Sequence, residues 1–135
     1  MQVVNGYPPN FEDIAAVFPA ARNPGVIFTY GERIYNPGGA PIQPKLKAHV
    51  AVHSQRQGYA VDLWWYKYLR DPAFRLEEEL LAHRAEYRAF KGSCRDRNEV
   101  SRALHDAAAR LSSALYGNMI SYMDARRFIV VTPGG

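Results

Sequence analysis

The chain has 135 residues, 47% of them hydrophobic, and a formal net charge of +4. That length suits one domain, spanning 1–135, with a core of its own. The single cysteine, Cys94, excludes an internal disulfide and suits a reducing compartment. The positive charge is too modest to point to nucleic acid. Arg84, Arg88, Lys91, Arg95 and Arg97 cluster, but Glu86 and Asp96 dilute them, and such spacing reads as a solvated helix face.

Residues 1–10 read as an irregular, proline-punctuated lead without the basic start or apolar stretch of a signal peptide. No apolar run in the chain is long enough to span a bilayer. A short helix over 10–18 follows, with Asn10 as its cap, Glu12 and Asp13 in its first turn and Pro19 as its stop. The β-rich run 25–30 turns at Gly31-Glu32 into Arg33-Ile34-Tyr35, a hairpin closed by Asn36-Pro37-Gly38-Gly39.

The first long helix is expected within 41–58, with Pro44 near its start and Gly58 as its stop. Leu46, His49, Val50 and His53 recur along it at helical spacing. The aromatic segment 61–69 forms a second helix, ended by Asp71-Pro72. A third, over 73–91, carries Leu76, Leu80, His83, Tyr87 and Phe90 on one broad face and is broken by Gly92. Asp96 and Glu99 form a capping box for a fourth, through Leu115, with Val100, Leu104, Leu111 and Leu115 facing inward. Ser121 and Asp124 cap a last short helix to Phe128, and 132–135 form a tail. No repeat or linker divides the chain.

His49 and His53 stand four residues apart, so one helix face can present both imidazoles to a single ion. In the zinc-peptidase pattern H-E-x-x-H, the glutamate after the first histidine acts as general base toward water. Val50 occupies that position here and can neither take nor deliver a proton. A working site needs a third ligand, and helix 73–91 is the obvious donor, with Glu77, Glu78, Glu79, His83 and Glu86. Glu79, His83 and Glu86 share a face beside Leu76 and Leu80, where a carboxylate is costly to bury without a partner. A metal held by the two histidines would be such a partner.

The bland alternatives are concrete. An H-x-x-x-H spacing arises by chance, a histidine on an apolar face is commonly a core residue, and consecutive glutamates commonly form a solvated face. One or two of those glutamates would then pair with Arg75 or Arg84. Trp64-Trp65, Tyr30 and Tyr35 read as core builders. A thiol enzyme built on Cys94 and His105 has no oxyanion hole or orienting group in the sequence, although Lys91, Arg95 and Arg97 would favour the thiolate.

One resemblance adds to these readings. It runs from Phe28-Thr29-Tyr30-Gly31-Glu32-Arg33-Ile34-Tyr35-Asn36-Pro37 through the His49, His53, Arg56, Gln57 pattern to Trp64-Trp65, Tyr68-Leu69, Asp71 and Phe74-Arg75. It continues over Glu78-Glu79, Ala82-His83-Arg84 and Glu86-Tyr87 to Leu115-Tyr116-Gly117-Asn118-Met119-Ile120-Ser121. This order of features resembles a family of small zincin-like proteins common in bacteriophages and prophages. The resemblance implies a minimal zincin-like arrangement of α+β class, mainly α, with an N-terminal β-hairpin packed on four to five helices.

It also implies zinc held by His49, His53 and Glu79, with Glu78, His83 and Glu86 as the other candidates for third ligand. The general-base position falls on Val50 and does not match. The expected function is therefore a degenerate zincin-like metal-binding domain without peptidase activity, acting as scaffold or binding module. Its partner would be a protein, such as another virion component, and its location the host cytoplasm or the virion. Two alternatives remain: a structural component of a phage particle without metal, and an active zinc peptidase using Glu79 or Glu86 as base.

Overall fold

The computed structural model describes residues 1–131 of the chain. The sheet elements are β1 (Gln2–Val4), β2 (Phe28–Tyr30) and β3 (Arg33–Tyr35); α1 (Phe11–Val17) and a 3-10 turn at Pro19–Arg22 precede the hairpin. After it come α2 (Pro44–Gln57), α3 (Val61–Arg70), α4 (Pro72–Ser93) and α5 (Arg97–Leu111). A second 3-10 turn at Ala114–Tyr116 leads into α6 (Tyr122–Val130). The class is α+β and mainly α, with six α-helices among the described residues. No helix among these residues is long and apolar enough to cross a membrane.

The hairpin forms as the turn chemistry requires. Gly31 sits at a φ of 63°, a left-handed conformation open to glycine, and Thr29 pairs with Ile34. The lead segment was expected to be irregular, yet Gln2-Val3-Val4 forms β1 and pairs in parallel with β3, which becomes the central strand. Three residues are too few to show an alternating pattern, and the partner lies about thirty residues further on, so nothing local announces this strand.

Helix ends follow local chemistry, with some departures from expectation. Asp71 caps α4 by accepting from the Ala73 and Phe74 amides, with Pro72 in the first helical position. Asp96 caps α5 through the Asn98 and Glu99 amides, and Ser121 caps α6 through that of Asp124. Asn10 makes no side-chain cap to α1. Gly92 does not break α4, which runs on to Ser93; a lone glycine costs a helix only about 1 kcal/mol. The fourth helix stops at Leu111, short of the expected Leu115, where the Ser113 hydroxyl bonds the Arg110 carbonyl at 2.6 Å and turns the chain. The expected tail at 132–135 lies outside the described residues.

Two apolar clusters flank the centre of the molecule. One joins Ile14, Phe18, Phe28 and Tyr35 to Trp64, Trp65 and Tyr68 of α3; the other joins Leu104, Ala108 and Leu111 of α5 to Ala125 and Ile129 of α6. Between them α2 packs along α4, and the facing surfaces are polar. On α4 the expected face is partly covered: His83 is fully buried, whereas Leu76, Leu80, Tyr87 and Phe90 are half-buried. The buried face carries Arg75, Glu78, Glu79, Ala82, His83 and Glu86. Periodicity locates both faces but not which one turns inward, because the partners of the charges come from other elements.

Candidate metal centre

Helical spacing puts His49 and His53 on the same side of α2, with ring centroids 4.9 Å apart and both residues buried. Glu79 comes to them from α4. Its Oε1 lies 3.4 Å from Nε2 of His49, and its Oε2 lies 3.1 Å from Nε2 of His53. These three residues offer ligand atoms that all lie within 4.8 Å of one another, close enough to hold a metal ion.

The groups behind the three are equally specific. His49 uses its other nitrogen, Nδ1, to contact Glu86 Oε1 at 3.0 Å. A carboxylate on the far side of a histidine fixes the ring and leaves the opposite nitrogen facing a metal. The Tyr68 hydroxyl donates to Glu79 Oε2 at 2.7 Å, whereas Glu79 Oε1 is buried without a hydrogen-bond donor. An unpartnered carboxylate oxygen inside a protein is costly, and a cation is what its lone pairs lack. His53 Nδ1 is likewise buried without a partner. The donor set, two imidazoles and a carboxylate, is one that accommodates zinc and related ions.

A second trio, His49, His83 and Glu86, also brings its ligand atoms within 4.8 Å of one another. Its chemistry is less suitable. The Arg110 guanidinium holds Glu86 through both carboxylate oxygens, at 2.7 and 2.6 Å, and its Nε lies 3.4 Å from His83 Nε2. His83 Nδ1 is committed to the Glu79 carbonyl at 2.7 Å. An ion there would sit against a guanidinium and displace it, so the Glu79 trio is the better site.

Glu78 is excluded as a ligand by its own partners, Arg56 and the Trp64 indole nitrogen, the latter at 2.8 Å. Glu77 is exposed. Arg75 pairs with no glutamate; it is buried, and it binds the Tyr68 and Tyr116 carbonyls at 2.7 and 3.0 Å. It thereby anchors the two tyrosines that border the site. Gly117 lies under it at a φ of 89°, where a Cβ would meet Arg75 Nη2 and Phe18 Cε1 at 3.2 Å.

The cluster is strongly polarised. Burial alone would raise Glu79, but the His53 and His49 imidazoles beside it hold it well below the usual carboxylate range. Burial opposes a charge on His49, yet the hydrogen bonds of Glu79 and Glu86 outweigh it and raise its pKa. Burial likewise works against Glu86, but His49 and Arg110 bring it down to about 2. His83 falls to about 3, chiefly from burial and then from the His49 charge beside it.

These depressed values make the fold acid-sensitive. His83 stabilises fully above its ordinary 6.5 and loses that contribution as pH falls toward 3. The loss is on the order of 5 kcal/mol at 1.36 kcal/mol per unit. Glu86 adds a further loss as pH falls from 4.5 toward 2. The raised His49 has the opposite sign: its contribution is present below 6.5 and fades as pH rises through its folded value. A melting series on metal-free protein should fall steeply from pH 6.5 to 3, and a flat series contradicts this balance of charges.

The trio faces a cavity of about 400 Å³, within the range of small-molecule pockets. Apolar side chains line most of it, among them Ile14, Phe18, Phe28, Leu46 and Leu115, with Trp64, Trp65 and Tyr68 as aromatic wall. The exposed Asn23 and Gly25 mark its outer end. Val50, 2% exposed, lines the same cavity as His49, His53 and Glu79. Among the described residues no other carboxylate stands in the lining. No known protein family, curated protein or solved structure matches the chain. What the centre can do therefore rests on its own chemistry.

Spacing paired His49 with His53 and the resemblance added Glu79; the ligand atoms of the three lie within 4.8 Å of one another. The sequence did not single out Arg110 or Tyr116, which enter from α5 and the turn beyond it and also line the cavity. Arg110 gave no signal, since an arginine on a polar helix looks solvated until its buried carboxylate partner is seen. The remaining candidates stand apart. Cys94 contacts Glu99 at 3.3 Å, and His105 pairs with the Tyr122 hydroxyl at 2.7 Å. Of the basic cluster, Arg84 is half-buried with Nε on the Phe128 carbonyl at 2.8 Å, while Arg88, Lys91, Arg95 and Arg97 are exposed.

Proposed function

We propose that this chain is a zinc-binding domain of zincin-like, phage type that lacks the general base and serves as a binding module. The observation that carries this reading is the company of Val50. It lies in the wall of a cavity whose floor holds two imidazoles and a carboxylate, where a peptidase would keep its base. Zinc in that position supplies Lewis-acid polarisation of an oxygen ligand and couples metal binding to folding. His49 and His53 would hold it with Glu79. Glu86 orients His49, Tyr68 orients Glu79, and the aromatic wall excludes water.

Hydrolysis has no group to carry its proton. Glu79 is needed as ligand, and Glu86 is saturated by Arg110 and His49. Losing a general base lowers rate by typically 10²–10⁴-fold. Strand β2 is also poorly disposed to pair with a peptide, because the Thr29 carbonyl already accepts from Gln57 and the Trp65 indole at 3.0 and 3.2 Å. A protein partner, such as another particle component, finds Tyr59, Leu63 and Tyr66 exposed around α3.

The test incubates zinc-equilibrated protein with a mixed peptide library. The reading expects tight zinc binding without cleavage. Chelator-sensitive cleavage by the natural protein would mean that Val50 is not disabling. In the same protein Glu86→Gln should weaken zinc binding about 10–100-fold, because the negative charge behind His49 is lost while every ligand remains. Unchanged affinity would show that Glu86 does not orient the ring.

A further inference from the structure

The cavity has a second polar feature besides the trio. Arg110 lines it, and the contacts with His83 and Glu86 engage only Nε and Nη2, leaving Nη1 of the guanidinium unused by either. Tyr116 lines the same cavity and brings a hydroxyl to it. A divalent ion and Arg110 together outweigh Glu79 and Glu86 by one positive charge. The polar end thus favours an anion, while the rest of the wall is apolar and aromatic.

We infer that the ligand of this cavity is a small carboxylate with an apolar or aromatic tail. Its carboxylate would meet the zinc and Arg110–Tyr116, and its tail would lie against Phe18, Phe28, Trp64 and Trp65. A neutral group gives up the charge-assisted contact with Arg110. A bare carboxylate such as acetate leaves the apolar wall wet and gives up the burial of the tail. The same chemistry occurs at the C-terminus of a peptide that ends in an aromatic residue. The cavity suits the small molecule, because about 400 Å³ lies in the range that encloses a drug-sized ligand whole. This inference rests on the zinc-binding reading above.

Trp64 and Trp65 in the wall provide the readout, since their fluorescence changes when a ligand enters. Zinc content is measured first; then zinc-loaded and chelator-treated protein are titrated with 4-phenylbutanoate, its amide, acetate, and a tripeptide ending in phenylalanine. The expected result is saturable binding of 4-phenylbutanoate to the zinc form. The amide, acetate and the metal-free protein should each bind at least tenfold more weakly, and the peptide no more tightly than 4-phenylbutanoate. Val26→Trp, at a lining residue outside the trio that takes up cavity space, should abolish the response and keep the zinc. Tyr116→Phe should weaken binding several-fold at constant zinc content.

Equal affinity for acid and amide, or an unchanged response in Val26→Trp, overturns the inference and leaves the zinc site standing. Tighter binding of the peptide moves the assignment to a chain terminus and overturns the small-molecule form. Protein that takes up no zinc overturns the zinc-binding reading itself, and the inference falls with it.

Discussion

His53→Ala is expected to lose more than nine-tenths of the zinc bound by the natural protein under equal conditions and to melt about 10 °C lower. His53 supplies one of three ligands and lies 3.1 Å from Glu79, so its removal takes away metal affinity and strands a buried carboxylate together. A ligand present at a hundred to a thousand times its Kd stabilises the native state by about 2.7–4 kcal/mol. For a chain of this size each kcal/mol moves the melting point by roughly 4 °C. The chelator separates the two causes. EDTA should lower the melting point of the natural protein and leave His53→Ala where it is. An equal response of both to EDTA, or none in either, would show that the metal does not contribute to the fold.

Val50→Glu is expected to confer chelator-sensitive peptide cleavage at least a hundredfold above the natural protein. The substitution completes H-E-x-x-H on α2 and puts a carboxylate in the cavity wall beside His49, His53 and Glu79. The larger side chain has the cavity to extend into, so the strain of overpacking stays small. Its carboxylate can then take the proton from an attacking water, the role for which Val50 has no atom. The rate gain follows from the typical worth of a general base. If the variant binds zinc and remains inert, the cleft no longer admits a peptide, in keeping with the capped carbonyl of Thr29. A structural role would then be the better account.

The parts of this molecule that were legible in the sequence are those governed by local rules. The i, i+4 spacing of His49 and His53, the Gly31 turn, and the caps at Asp96 and Ser121 each depend on residues a few positions apart. The choice of Glu79 over its neighbours came from a resemblance, because spacing alone left Glu78, His83 and Glu86 open. What distinguishes them in the structure is their long-range partners. Arg56 and Trp64 take Glu78, and Arg110 takes Glu86 and approaches His83, so Glu79 alone keeps an unpartnered oxygen toward the histidines. The burial of the charged groups of α4 has the same origin. Its polar face is buried because α2, α3 and α5 each supply a counterpart, and no window of the sequence contains those pairs. Strand β1 was missed for a related reason, since its pairing with β3 is a contact between distant segments.

The most direct measurement is the metal content of natural protein purified without chelator and equilibrated with a slight excess of zinc, read by elemental mass spectrometry beside Glu79→Ala. Close to one zinc per chain in the natural protein and under a tenth of that in Glu79→Ala is the predicted result. Equal zinc in both, or none in the natural protein, would contradict a site built from His49, His53 and Glu79.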